Sequence, residues 1–125
     1  MKFEALQKRS KEFAHRCVKL ALALLPTKLR HHIQGQLIRC ATSVAANYRA
    51  TCLAQTTRLF ISKLSIVIEE VDESAFWLQF IIDEELIEKE RVEPLLNEAG
   101  ELTAIFVASR KTAGGRKQRE AKINQ

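Results

Sequence analysis

The chain has 125 residues, 46% of them hydrophobic, enough for one domain with its own core and too few for two comfortable ones. No uncharged apolar run reaches the roughly 18 to 20 residues of a membrane span; SAFWLQFII and LALALLPT are about half that, and MKFEALQKRSKEF has no signal-peptide core. The net charge of +5 conceals a division, because residues 1–68 hold 12 Lys/Arg against 2 acids, residues 69–109 hold 2 against 12, and residues 110–125 hold 6 against 1.

Four glycines and two prolines leave few turn signals, while Ala, Leu, Glu, Lys, Gln and Arg are abundant, so the expected class is all-α. A first helix is predicted over about 3–25, with Leu6, Phe13, Cys17, Leu20 and Leu24 on one face and Pro26 ending it. The period resumes at Ile33, Leu37, Cys40, Ala41, Val44 and Tyr48, which predicts a second helix over about 29–52. Thr56 or Thr57 is the expected N-cap of a third, about 57–85, whose stripe reads Phe60, Leu64, Val67, Val71, Ala75, Leu78 and Ile82 at bundle-like spacing. A fourth follows over about 89–110, with Leu95, Leu102, Ile105, Phe106 and Ser109 along it and Pro94 near its irregular start. Gly114 and Gly115 mark a break, and residues 113–125 read as a flexible basic tail outside a bundle of residues 1–112. Short loops make an antiparallel up-and-down four-helix bundle the economical architecture.

The run RCATSVAANYRATC, Arg39 to Cys52, has only two charges and many small side chains. Ile38, Thr42, Ala45, Ala46 and Ala50 point away from the core stripe of the second helix, and Ile66, Phe76, Trp77 and Phe80 lie off that of the third. Several such residues together indicate a contact surface, so self-association through these two helices is expected. Gln36, Arg39, Ser43 and Asn47 form a narrow polar stripe, and a buried asparagine or arginine enforces one register when its hydrogen bonds are met. Glu69 and Glu73 share a helix face beside Glu70 and Asp72 and repel unless neutralised, so a structural network linking Arg39 and Arg49 to Glu69, Glu70 and Glu73 is expected, within a subunit or across an interface, with Ser43, Asn47, Trp77 and Phe80 beside it.

Signals for chemistry are sparse. Glu12-Phe-Ala-His15 is a single Glu-x-x-His step where a di-iron bundle needs two, and no Ser/His/Asp signature, phosphate-binding glycine loop or nucleophilic cysteine motif is present. Cys17, Cys40 and Cys52 are odd in number, lack CxxC spacing and read as reduced, packed thiols of a cytoplasmic protein. No catalytic residue, metal or cofactor is expected.

Three blocks, QLIRCATSVAANYRAT, FISKLSIVIEEVDESAFWLQF and NEAGELTAIFVASRKT, give the chain a further identity from about residue 4 to 112. In that order they resemble the small bacterial four-helix-bundle proteins encoded within intervening sequences of large-subunit ribosomal RNA genes and elsewhere in bacterial genomes. The resemblance implies an up-and-down bundle assembling as a ring-like homopentamer, and little about biochemistry. A distant, similarly built group serves as the accessory protein of diversity-generating retroelements, where a basic pentamer contacts a reverse transcriptase and nucleic acid; this is an analogy of fold and charge. Relatives commonly carry an Ala-Glu-Gly type sequence after the asparagine and a Ser-x-x-Glu cap before the phenylalanine. Here the positions read Asn47, Tyr48, Arg49, Ala50 and Thr56, Thr57, Arg58, Leu59, so the capping box is lost and the junction of helices two and three is either continuous or differently turned.

Two functional readings remain open. In the first, a non-enzymatic homo-oligomeric scaffold binds RNA, DNA or a nucleic-acid-processing partner such as a reverse transcriptase. The candidate contacts are Lys8, Arg9, Lys11, Arg16 and Lys19 on the first helix, Lys28, Arg30, His31 and His32 in the first loop, and Arg110, Lys111, Arg116, Lys117 and Arg119 in the tail. Cations without interleaved aromatics fit phosphate contact rather than base readout. In the second, the chain is a purely structural or protein-interaction module whose charge division serves folding and assembly; a basic first helix covered by the acidic fourth favours this one.

Overall fold

The computed structural model describes residues 2–123, apart from the side chains of Lys2, Lys117, Glu120 and Ala121. Its regular elements are four helices, α1 (Lys2–Leu22), α2 (Lys28–Cys52), α3 (Thr57–Asp83) and α4 (Lys89–Ile123). Each sequence-neighbouring pair packs along its length, whereas α1 and α4 meet sparingly. The result is a helical bundle around one core.

The helix ends follow from local chemistry. Pro26 disfavours helical geometry at Leu25, and α1 stops at Leu22, earlier than the pattern predicts. Two tightened bonds, Ala23 N to Leu20 O and Leu24 N to Ala21 O, close that end, and the Gln34 amide donates a second bond to the Ala21 carbonyl at 2.9 Å. Thr27 caps α2 by accepting from Arg30 N at 3.2 Å. The α2–α3 junction is a turn and not a continuous helix: Leu53 and Ala54 N–H groups bond back to Ala50 and Thr51, and Thr56 then caps α3 by accepting from Leu59 N at 3.1 Å. With Leu59 in place of a glutamate, half of the reciprocal capping box is missing, but the threonine hydroxyl alone starts the helix.

The expected α2 stripe, Ile33, Leu37, Cys40, Ala41, Val44 and Tyr48, is buried throughout. That of α3 is corrected: Leu64, Val67, Val71, Ser74, Leu78 and Ile81 are buried, while Phe60, Ala75 and Ile82 are only half-buried. The steps from Leu64 to Ile81 alternate three and four, an unbroken seven-residue repeat. Serine is admitted to this seam because its hydroxyl is satisfied locally, donating to Glu70 O at 2.8 Å and lying 3.3 Å from Cys40 Sγ.

The largest correction concerns the tail. Residues 113–123 are helical, the continuation of α4, and Gly114 and Gly115 do not interrupt it. Neither has a positive φ, and each costs about 1 kcal/mol relative to alanine without ending a helix. Ala113, 6% exposed, holds this part of α4 against the bundle. Residues 124 and 125 of the expected tail lie outside the described residues. At the other end α4 begins at Lys89 despite Pro94. Proline there is exposed and frees only the Glu90 carbonyl, itself in an exposed first turn open to water. Among the described residues no helix is long and apolar enough to cross a membrane.

Candidate functional site

The amphipathic register that buries Phe13, Cys17 and Leu20 turns the α1 cations outward: Lys8, Lys11, Arg16 and Lys19 are exposed, as are Glu12 and His15. Arg9 differs. It lies half-buried between α1 and α4, its Nε 2.8 Å from Glu98 Oε2 and its Nη2 2.7 Å from Glu98 Oε1 and 3.0 Å from Glu101. That fork raises the already high guanidinium pKa, chiefly through the hydrogen bond to Glu98. Of the α1 cations, Arg9 alone pairs with an acid of α4 among the described residues.

Lys28, Arg30, His31 and His32 lie not in a loop but in the first turns of α2, because the Thr27 cap starts the helix there; Lys28, His31 and His32 are exposed, while Arg30 is half-buried and its Nε has no hydrogen-bond partner among the described residues. Arg16 and Lys19 share a shallow cleft with Glu90, Arg91 and Pro94 of α4. The remaining candidates lie elsewhere. Arg110 is half-buried, its Nη1 donating to Ser65 Oγ at 3.3 Å, and Lys111, Arg116 and Arg119 are exposed along the last turns of α4. The side chain of Lys117 lies outside the described residues. The candidate cations thus lie on α1, on the first turns of α2 and on the last turns of α4.

On the α2–α3 side, Arg39 Nη1 lies 3.4 Å from Glu70 Oε2, its Nη2 pairs with Glu73, and its Nε faces Gln36 Oε1 at 3.4 Å. Trp77 Nε1 donates to Glu73 at 3.2 Å. The Arg39 hydrogen bond, helped by Trp77, holds the Glu73 carboxyl below the usual carboxylate range. Of the residues expected to form a network, Arg39, Glu70, Glu73 and Trp77 are brought together within the subunit. Arg49 and Glu69 are exposed and make no ion pair among the described residues. The physical reason is axial distance: Arg49 lies about ten residues beyond Arg39, roughly 15 Å at 1.5 Å per residue, whereas the acids cluster at the Arg39 level. Ser43 and Asn47 are half-buried, and the Asn47 side chain bonds inside its own helix, Nδ2 donating to Ser43 O at 2.9 Å.

Beside this network Phe76, Trp77 and Phe80 form an aromatic cluster with ring centroids 4.9 to 6.0 Å apart, and His32 approaches Trp77 edge-on at 5.7 Å. Phe76 is 55% exposed and Ile66 43%; Thr42 and Ala46 of α2 are exposed, and Ile38, Ala45 and Ala50 half-buried. Among the described residues no three His, Cys, Asp or Glu side chains converge. The Cys17 and Cys40 thiols and the Tyr48 phenol are pushed upward by burial, away from the thiolate or phenolate that nucleophilic chemistry uses.

One feature was not foreseen from the residues. An open apolar groove of about 780 Å³ lies between the first turns of α1, the α2–α3 turn and the latter half of α4. Its α4 wall runs through Thr112, Ala113 and Arg116, beyond the point where a helix was expected to stop.

In class, this is an all-α four-helix bundle. The chain belongs to the 23S rRNA-intervening sequence protein family, whose model matches residues 3–108, in agreement with the three sequence blocks. Among solved structures it is similar to a protein of unknown function from the S23 ribosomal protein family of Bacteroides thetaiotaomicron VPI-5482, at 32% identity and a TM-score of 0.81, over 89% of this chain and 99% of that one. No curated protein matches the chain.

Proposed function

We propose that the protein is a non-enzymatic, cytoplasmic, homo-oligomeric scaffold that binds RNA or DNA through phosphate contacts from α1 and the first turns of α2, alone or with a nucleic-acid-processing partner. One observation carries this reading: the cationic face of α1 stays open, with Lys8, Lys11, Arg16 and Lys19 exposed and, among the described residues, only Arg9 drawn to the acids of α4. Clustered cations with no internal partner are what phosphate neutralisation requires. A filter-binding titration with duplex and single-stranded RNA and DNA at two salt concentrations tests it. Sequence-tolerant retention that falls steeply with salt is expected; no retention at low salt removes the reading.

The bundle is read as up-and-down with antiparallel neighbours. Rising numbers on one helix meet falling numbers on the next, His32 with Trp77 and Cys40 with Ser74, which supports that order. Assembly into a ring-like homo-oligomer, a pentamer by family resemblance, is supported by the apolar α2–α3 face around Phe76 and Ile66. Sedimentation is expected to give a species well above 14.2 kDa that Phe76→Ser shifts toward the monomer. A wild-type monomer at micromolar concentration contradicts the assembly. The alternative, a purely structural or protein-interaction module, draws support from the Arg9–Glu98 fork, where charge division serves the fold.

A further inference from the structure

The apolar groove at the end of the bundle has the makings of a docking site. α1 contributes Phe3 and Leu6, α3 contributes Phe60, and the Phe3 and Phe60 rings stand 6.1 Å apart. The floor is α4, where Ala108, Ser109, Thr112 and Ala113 succeed one another on one helix face. Small side chains on that floor let another helix approach closely, and helix separation is set by the side chains at the contact. Phe3 is 44% exposed, and Leu53 and Leu59, near the lining residues in sequence, are 75% and 47% exposed. A largely apolar concavity of about 780 Å³ has the volume of a binding cleft.

Charge narrows the occupant. The lining carries one charged residue, Arg116, and no acid. Arg119, about one turn beyond Arg116 on α4, and Arg58, next to the lining residue Thr57, are exposed, and among the described residues none of these three cations is in an ion pair. Nucleic acid phosphates satisfy such cations but make no use of an apolar floor. An amphipathic helix with an apolar stripe and acidic flanks satisfies both.

We propose that this groove docks an acidic amphipathic helix of a partner protein, its apolar stripe lying on the α4 floor between Phe3 and Phe60 and its carboxylates meeting Arg116 and the neighbouring cations. The Arg116 end of the groove lies beyond residue 108, where the family match ends.

Cys52 gives the full-length wild-type protein a built-in reporter, because it lines the groove half-buried while Cys17 and Cys40 are in the core. Two short synthetic helices share a Leu/Ala stripe, one flanked by glutamates and the other by lysines. Saturating Glu-flanked helix is expected to slow Cys52 alkylation about tenfold or more, as reaction waits on the unoccupied fraction, and the Lys-flanked helix to leave it unchanged. Ala108→Trp, a change at an exposed floor position, is expected to remove the protection. Arg116→Glu is expected to weaken the Glu-flanked helix about fivefold, the scale of one exposed charge pair. Equal protection by both helices, or by neither, overturns the proposal. So does protection by duplex DNA or anionic vesicles without protection by the Glu-flanked helix, or protection that grows with protein concentration alone and assigns the groove to a second copy.

Discussion

Glu85 adopts φ 54°, the left-handed region, directly after α3. Its N–H bonds to Ile82 O at 3.0 Å and the Leu86 N–H to Ile81 O at 3.0 Å, the paired bonds of a Schellman ending. Glycine is the usual residue at that position because it has no Cβ to clash with the carbonyl. Glu85→Gly is therefore expected to stabilise the fold by about 0.5–1 kcal/mol, read as a higher melting temperature; a lower one contradicts the assignment of strain. Burial sets a second residue-scale expectation. Cys17 and Cys40 both have raised pKa values, with desolvation as the main cause, so they stay protonated in the folded chain and ionise on unfolding. A raised folded pKa gives stability that is complete below the unfolded value, about 8.5 for a thiol, and is lost as pH rises beyond it. Melting temperature should fall on going from neutral pH to about 10, and Cys17→Ala with Cys40→Ala should flatten that fall; an equal slope in the double variant removes the thiols as its source.

At the scale of elements, the number and order of helices were legible because apolar periodicity, Pro26 and the Thr56 cap are local signals. The α2 core was legible for the same reason, every stripe residue being a small or medium apolar side chain or Tyr48. In α3 the register was misread at Ser74 and Ile81, because a serine that bonds its own helix is indistinguishable in sequence from one facing water. The end of α4 was misread because Gly114 and Gly115 lower helix propensity, while the packing of Ala113 against the bundle is tertiary and invisible in the sequence. A Cβ at Gly114 meets nothing within 4 Å, and one at Gly115 meets only Arg119 Nη1 at 3.9 Å. The double change to alanine should add up to about 1 kcal/mol of helix propensity per site, seen as slower amide exchange over residues 116–123. Unchanged exchange there would mean that glycine is not what limits this segment.

At the scale of the whole molecule, the division of charge has two uses that sequence order alone could not separate. Part of it is internal, as in the Arg9–Glu98 and Arg39–Glu73 pairs, each too exposed to stabilise the fold by more than about 1 kcal/mol. The rest stays outside, on α1 and on the last turns of α4, because among the described residues Arg9 alone of α1 pairs with an acid of α4, while Lys8, Lys11 and Lys19 are exposed. The Arg39 network was legible in kind, since paired carboxylates need a cation, but the exclusion of Arg49 follows from helix alignment, which only the fold determines. The groove was not legible, being made by α1, the α2–α3 turn, α3 and a stretch of α4 whose last lining residues, Ala113 and Arg116, fall in the expected tail.

The most direct measurement is the salt dependence of nucleic acid affinity for the wild type and for a variant with Lys8, Lys11, Arg16 and Lys19 changed to glutamine. These residues are exposed and unpaired among the described residues, so the fold should hold and leave the wild-type melting temperature in place. If the α1 face neutralises phosphates, the slope of log affinity against log salt on duplex DNA should shrink by about 0.9 for each phosphate that the variant leaves unneutralised. An unchanged slope and affinity in a folded variant would contradict nucleic acid binding through this face.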